Sequence, residues 1–401
     1  MSQAFASVKK EEENLLCSTY SRYPLAVARG KGAHLWDTDG KKYVDLLAGI
    51  AVTALGHCND ELCAVLEAQS RKLWHVSNLF YQEEQLELAR LLLSTCHHEK
   101  AFFCNSGAEA NEACIKLARR YMRTVKKRDA CEIVTLEGCF HGRTLGALAA
   151  TGRANLSEGF APLPEGFRQI PADMAALEAA LTPNTAALLV EVVQGEGGVV
   201  PLSGDWLRAA EALCRKRDIL FLCDEVQAGL CRTGSFWAFQ QFGLKPDAIS
   251  IAKSLGNGLP IGAMLATHEA AQGFAPGSHA TTFGGGSLVS AVAAKTVEIM
   301  LRDKLADRAA LLGTHLRASL EALQKRCSPK IREVRGAGLM VGIELDVPGN
   351  EVWQELLRRG YICNLSHGTT LRLLPPLTIE QDDLDGFVAC LEDILHKTET
   401  R

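Results

Sequence analysis

Ile219-Leu220-Phe221-Leu222-Cys223 is an apolar run that stops on Asp224-Glu225-Val226-Gln227, and Ile249-Ser250-Ile251-Ala252 is a second that stops on Lys253. Runs this short and this apolar predict strands covered on both faces, as in a parallel sheet flanked by helices. The second run, with Ala248 before it, gives a strand over Ala248–Ile251, and further candidates of the same kind are Ala101–Cys104, Glu132–Leu136, Ala187–Val193 and Gly262–Ala266. Helical patterns separate them, from Ala108 to about Met122 and around Trp206–Arg217. The alternation predicts an α/β domain with a largely parallel sheet.

On either side the texture changes. Ala33–Trp36 and Lys42–Asp45 flank Asp37-Thr38-Asp39-Gly40, which reads as a hairpin turned by Asp-Gly. A helix is expected over Asp60–Lys72. After about Gly286 come amphipathic runs at Leu288–Leu301 and Leu305–Leu323, then strand candidates Leu339–Leu345, Ile362–Leu365 and Leu371–Leu374, then a terminal helix over Asp382–Lys397. This part reads as a smaller α+β domain.

Composition narrows the function classes. The 401 residues carry 43 basic and 47 acidic side chains, a net charge of −4. That near balance argues against a dedicated nucleic-acid binder, which usually carries a basic excess. No stretch approaches the ~20 apolar residues that span a bilayer. The polar opening, with Lys9-Lys10-Glu11-Glu12-Glu13, lacks the apolar core of a secretory leader. The 14 cysteines are scattered with no Cys-x-x-Cys pair, so metal-ligand spacing is absent and a cytoplasmic setting is expected.

Several chemically capable residues fall just past the strand ends: Asn105-Ser106-Gly107, Phe140-His141-Gly142-Arg143, Gln194-Gly195-Glu196, Asp224 and Lys253. Ligands of open α/β sheets sit beyond those ends, so these loops converge on one crevice. Ser106 with Glu109 three residues on forms a capping box, and Gly107 and Ala108 leave their N–H groups uncovered for an anion. Alone, each feature has an ordinary explanation: a helix cap, an acid capping a helix, a lysine extending from a strand end into solvent. A P-loop is excluded, because Ala252 and Asp247 stand where it needs glycine. Gly336-x-Gly338-x-x-x-Gly342 precedes a strand rather than a helix, so it is no dinucleotide fingerprint. A phosphate cradle, a strand-end acid and a strand-end lysine together point to pyridoxal phosphate.

At these residues the chain resembles a known family. Ser106-Gly107-Ala108-Glu109-Ala110-Asn111-Glu112-Ala113 is similar to the cofactor segment of class III, fold type I aminotransferases. So are Phe140-His141-Gly142-Arg143-Thr144, Asp224-Glu225-Val226-Gln227-x-Gly229-x-x-Arg232-Thr233-Gly234, and Thr281-Thr282-Phe283-Gly284-Gly285. The likeness runs from about Tyr20 to the C-terminus. Within the class, Gly49-Ile50-Ala51-Val52, Ser77-Asn78-Leu79-Phe80-Tyr81 and Leu371-Arg372-Leu373-Leu374-Pro375-Pro376-Leu377 look most like the acetylornithine aminotransferase group. Cys231 stands where the family usually has glycine, and Gly286-Ser287 replaces its usual Asn-Pro; neither lies on a reacting group.

The resemblance implies an N-terminal segment over residues 1–50 packing with the small domain, a large cofactor domain over 51–285 and a small domain over 286–401. It implies that Lys253 carries the cofactor as a Schiff base and shuttles the proton, while Asp224 pairs with the pyridine nitrogen. Gln227 would bond the phenolic edge and Phe140 would stack on the ring. Ser106, Gly107 and Ala108 would hold the phosphate, joined by Thr282 from the other subunit of a homodimer. Arg143 and Arg372 would bind substrate carboxylates near Thr281, with Glu196 masking Arg372. The implied reaction moves the δ-amino group of N-acetylornithine to 2-oxoglutarate, a step of arginine biosynthesis. Other ω-amine donors, an aminomutase and a non-catalytic descendant stay open as alternatives.

Overall fold

The computed structural model describes residues 3–398. Its centre is a seven-stranded sheet. The strands are β1 (Lys100–Cys104), β2 (Glu132–Leu136), β3 (Phe167–Ile170), β4 (Thr185–Val190), β5 (Leu220–Asp224), β6 (Ala248–Ile251) and β7 (Gly262–Ala266), in the order β1-β7-β6-β5-β4-β2-β3. Every residue of β4, β5, β6 and β7 is buried. That is why these segments read as continuous apolar runs: helices cover both faces, so no position alternates toward water. Pairing is parallel except at β7, which runs antiparallel to both β6 and β1. The start of β7 therefore lies beside the carboxyl ends of its neighbours. There the Cα of Gly262 sits so near β1 that a Cβ would come within 2.4 Å of the Ser106 carbonyl oxygen.

The predicted elements are present with small changes of boundary. The expected strand over Ala187–Val193 stops at Val190; Val193–Gln194 instead pairs antiparallel with Val200–Pro201. The candidate over Ile362–Leu365 divides in two. Tyr361–Ile362 joins Lys42–Asp45 in parallel, while Asn364–Ser366 pairs with Thr370–Leu373. The break lets one short segment serve two sheets, which an apolar pattern alone does not reveal. The Asp-Gly hairpin forms as read, with Gly40 at φ +83°.

The C-terminal sheet has strands β8 (Ile331–Ala337), β9 (Met340–Leu345), β10 (Asn364–Ser366) and β11 (Thr370–Leu373), in the order β8-β9-β11-β10. Strand β8 escaped the sequence reading because Arg332, Glu333 and Arg335 interrupt its apolar pattern, and its outer residues are exposed. Helices at Glu83–Leu93 and Gly349–Arg358 were likewise not anticipated.

Buried Arg232 links the two sheets. Its guanidinium donates to the carbonyls of Leu339 and Pro375, 107 and 143 residues away. Burial lowers its pKa to about 9. A desolvated cation held by backbone carbonyls is costly to leave unpaired, so these contacts constrain how the C-terminal sheet docks.

Candidate active site

A cavity of about 440 Å³ opens at the carboxyl ends of β1, β2, β4, β5 and β6. Nine of the twelve residues anticipated from sequence line it: Ser106, Gly107, Ala108, Phe140, Arg143, Glu196, Asp224, Gln227 and Lys253. Arg372, Thr281 and Thr282 do not. Arg372 adjoins the cavity through Glu196, and Thr281 through cavity-lining Asn105, whose Nδ2 donates to its Oγ1 at 3.1 Å. Thr282 is exposed to solvent.

Asp224, the last residue of β5, is 4% exposed. Its Oδ1 accepts the Val226 N–H at 2.9 Å. Its Oδ2 accepts from Asn111 Nδ2 at 2.7 Å and from His141 Nδ1 at 2.8 Å. Asn111 also donates to the His141 carbonyl, and Ser250 Oγ donates to Asn111 Oδ1, which fixes the amide's orientation. Three elements thus converge on one carboxylate: the first turns of helix Gly107–Thr124, the loop after β2 and the turn at Val226, with β6 acting through Asn111. Each such charge-assisted bond contributes roughly 1.5–3 kcal/mol when buried. Sequence reasoning assigned neither Asn111 nor His141 a role. Both stand inside the motifs it quoted, and the polar residue on an otherwise buried helix face at Asn111 was the available signal.

The helix end expected to hold a phosphate carries the Ser106 cap, but not the full capping box. Ser106 Oγ caps helix Gly107–Thr124 by accepting the Glu109 N–H at 3.2 Å. The Glu109 carboxylate does not complete the box on Ser106; it takes the N–H and side-chain amide of Asn105. The N–H groups of Gly107 and Ala108 are left without a protein acceptor among the described residues. Gly107 is required there, because a Cβ would meet Val226 Cγ1 at 2.7 Å.

Lys253 follows β6 with φ +44°, a left-handed conformation that a lysine adopts at some cost. Its amine makes no hydrogen bond or ion pair among the described residues. Burial pushes its pKa down to about 8, against the opposing pull of Glu196, Asp224 and Glu191. Glu191, which the sequence reading did not single out, also lines the cavity. It is buried, its pKa is raised to about 7 by that burial, and it accepts the Phe140 N–H at 3.0 Å.

At the other side, Arg372 on β11 is 2% exposed and contacts Glu196 Oε1 at 2.5 Å. It also donates to the Gly195 carbonyl and to Asn364 Oδ1, both at 3.1 Å. Burial pushes the Glu196 carboxyl up, but Arg372 outweighs it and the net shift is down. Arg143 is exposed at the cavity rim, its guanidinium 5.7 Å from the Phe140 ring centre.

The donors present fit a phosphorylated pyridine aldehyde. A helix N-terminus offers two free N–H groups, a desolvated amine is available to a carbonyl, and a carboxylate fixed on two sides is available to a ring nitrogen. Gln227 Oε1 is buried without a partner. The group Cys327, Glu392 and His396 has metal-ligand spacing but lies far along the chain from these loops, and Arg326 already occupies the Glu392 carboxylate.

The comparisons agree with this geometry. The family described as Aminotransferase class-III matches residues 17–395. The acetylornithine aminotransferase of Methanocaldococcus jannaschii is 42% identical over 376 residues, covering 94% of each chain. The structure of the ornithine aminotransferase from Toxoplasma gondii, reported with partial occupancy of pyridoxal phosphate at its active site, superposes with a TM-score of 0.94. It is 32% identical, over 97% of this chain and 94% of that one. The acetylornithine aminotransferase from Elizabethkingia anophelis gives a TM-score of 0.88 at 32% identity, over 98% and 99%.

The depressed pKa of Lys253 has a direct readout. Because burial disfavours its ammonium, the amine of the ligand-free protein should become reactive at lower pH than ordinary lysines. Labelling with an amine-reactive reagent, read by mass on the Lys253 peptide, should rise with a midpoint near pH 8. A midpoint at the usual lysine value of about 10.4 would contradict the desolvation assigned to this site.

Proposed function

The chain belongs to the class III aminotransferases, and on that premise we propose that its cavity moves the δ-amino group of N2-acetyl-L-ornithine to 2-oxoglutarate. The enzyme depends on pyridoxal phosphate. Its products are N-acetyl-L-glutamate 5-semialdehyde and L-glutamate, a step of arginine biosynthesis. The single observation that carries the substrate reading is the ion pair of half-buried Glu196 with buried Arg372, whose charges both act on Lys253. With that arginine masked, a terminal amine bearing no neighbouring carboxylate can enter next to the lysine. Exposed Arg143 at the rim is then free to clamp a carboxylate at the far end of the donor.

When bound, the cofactor supplies an electron sink for the C–H bond that breaks and a temporary carrier for the amino group. The chain's residues do the rest. Gly107 and Ala108 hold the phosphate with their free N–H groups, and Ser106 sets the helix end that presents them. Asp224, fixed by Asn111 and His141, would offer its carboxylate to a ring nitrogen. Phe140 would stack on the ring, and Glu191 fixes the Phe140 backbone. Gln227 supplies a buried amide to the ring's polar edge. Lys253 Nζ takes the proton from the substrate carbon that bears the amine, a task suited to an amine whose pKa lies near neutrality. Arg143 positions that carbon by holding the distal carboxylate, with Thr281 nearby.

The reading extends to organisation. We divide the chain at residues 50 and 285, with the N-terminal segment attached to the C-terminal part; the parallel pairing of Lys42–Asp45 with Tyr361–Ile362 supports this. Residues 1–2 and 399–401 lie outside the described residues. A homodimer is supported by an apolar surface over Trp74, Leu79, Phe80 and Phe283, which are 65%, 87%, 66% and 66% exposed. Asn78 ties this surface to the carbonyls of Thr281 and Gly284. Thr282 stands exposed within it, and on this reading it serves the phosphate of a partner's site. Light scattering should give a mass of two chains, and a single-chain mass at working concentration would refute the shared site. Among the described residues, no helix is long and apolar enough to cross a membrane. All fourteen cysteines are free, which suits a reducing cytoplasm.

The substrate reading is tested by a donor panel with 2-oxoglutarate as acceptor. Free ornithine carries an α-ammonium toward the Arg143 guanidinium, a like-charge approach that acetylation removes. N-acetylornithine should therefore exceed ornithine and 4-aminobutyrate in kcat/KM by at least ~10-fold, about 1.4 kcal/mol. Arg143→Ala should lower kcat/KM for acetylornithine more than for a simple amine. A preference for ornithine, 4-aminobutyrate or a succinylated donor in the same assay would reassign the substrate and leave the reaction class intact.

A further inference from the structure

Two guanidinium groups stand within reach of Glu196. Arg372 holds its carboxylate now, at 2.5 Å. Arg153, the residue before the short helix Ala154–Ser157, approaches the same residue from its backbone side. Its Nη1 lies 3.4 Å from the Glu196 carbonyl oxygen, and its Nη2 donates to the Gly138 carbonyl. No acid lies within ion-pair distance of Arg153 among the described residues. Its charge is nonetheless felt at Glu196, after those of Arg372 and Lys253. Arg153 lines no part of the cavity, and nothing in the chemistry above uses it.

The distances put the Arg153 guanidinium within the span of a glutamate side chain. A guanidinium nitrogen 3.4 Å from the carbonyl oxygen of a residue is within roughly 6 Å of that residue's Cα, given standard bond lengths. A glutamate carboxylate covers most of that span by rotation about χ1 and χ2 and closes the remainder with a hydrogen bond. The Glu196 side chain is 31% exposed, so it has space to turn.

There is also a physical need for a second partner. An amine donor without a neighbouring carboxylate requires Glu196 on Arg372. A dicarboxylate such as glutamate or 2-oxoglutarate requires Arg372 for its own carboxylate. Glu196 must then leave Arg372, its one ion-pair partner among the described residues, while a second carboxylate arrives beside it. Left unpaired in a largely buried position, its charge would oppose that arrival.

We propose that Arg153 is the second seat of the Glu196 carboxylate, occupied when a substrate carboxylate takes Arg372, and that it thereby sets how well the enzyme accepts dicarboxylates. This rests on the reading of Glu196 as the mask of Arg372. Arg153 is a positioning residue: it acts on the substrate only through Glu196.

The test uses the cofactor-loaded enzyme and glutarate, an unreactive dicarboxylate, with its dissociation constant read from the change in cofactor absorbance. Arg153→Gln should weaken glutarate on the order of 10-fold. It should raise KM for 2-oxoglutarate more than it alters the acetylornithine half-reaction. Arg153→Lys, which keeps the charge, should recover most of the loss and guards against a folding defect in the glutamine variant. Glu196→Gln alone should tighten glutarate. In that background Arg153→Gln should have no further effect, because the group it seats is gone. If Glu196→Gln fails to tighten glutarate, the masking role is wrong. If it does tighten glutarate, but Arg153→Gln weakens binding equally in both backgrounds or in neither, the masking role stands and the second seat is overturned.

Discussion

Asp224 Oδ2, shared between the Asn111 amide and the His141 imidazole, is the contact on which the site depends. A carboxylate at the end of a fully buried strand needs partners on every side that water cannot reach. Helix Gly107–Thr124 provides one, the loop after β2 another, and the turn at Val226 a third. Meeting this one requirement sets the distance between the helix that carries the phosphate cradle and the loop that carries Phe140 and Arg143. Ser250 completes the arrangement from β6, the strand that delivers Lys253. One hydrogen-bonded cluster thereby ties together the helix start at Gly107, the Phe140 loop and the strand before Lys253.

The cavity is electrostatically divided. Asp224 and Glu191 lie toward the sheet, the Glu196–Arg372 pair toward the C-terminal sheet, and Lys253 is exposed to both. Burial alone would drive the lysine lower than about 8; the three carboxylates hold it there, and Arg372 works against them. Strain at Lys253, with φ +44°, is local to the residue that must meet the cofactor.

Much of this was legible in the sequence because burial on both faces makes parallel strands read as bare apolar runs, and loops after such strands are where polar residues signify a site. Lys253 and Asp224 stood out for that reason. Asn111, His141 and Glu191 did not: a polar residue on a buried helix face marks Asn111 as unusual, but what each of the three bonds to depends on the fold. Strand β8 was missed because charges on its open face mask the period, and β7 gave no sign that it runs antiparallel. Arg372 was placed by family likeness alone. Its partnership with Glu196, 176 residues distant, depends on how two sheets meet, and no local pattern records that.

Reductive trapping addresses the assignment of the cofactor-bearing residue most directly. The protein is reconstituted with pyridoxal phosphate, treated with borohydride, digested and mapped by mass. The expected outcome is one phosphopyridoxyl adduct per chain, on the peptide containing Lys253, and none in Lys253→Ala. An adduct on another lysine, or none on Lys253 in a fully loaded enzyme, would contradict it.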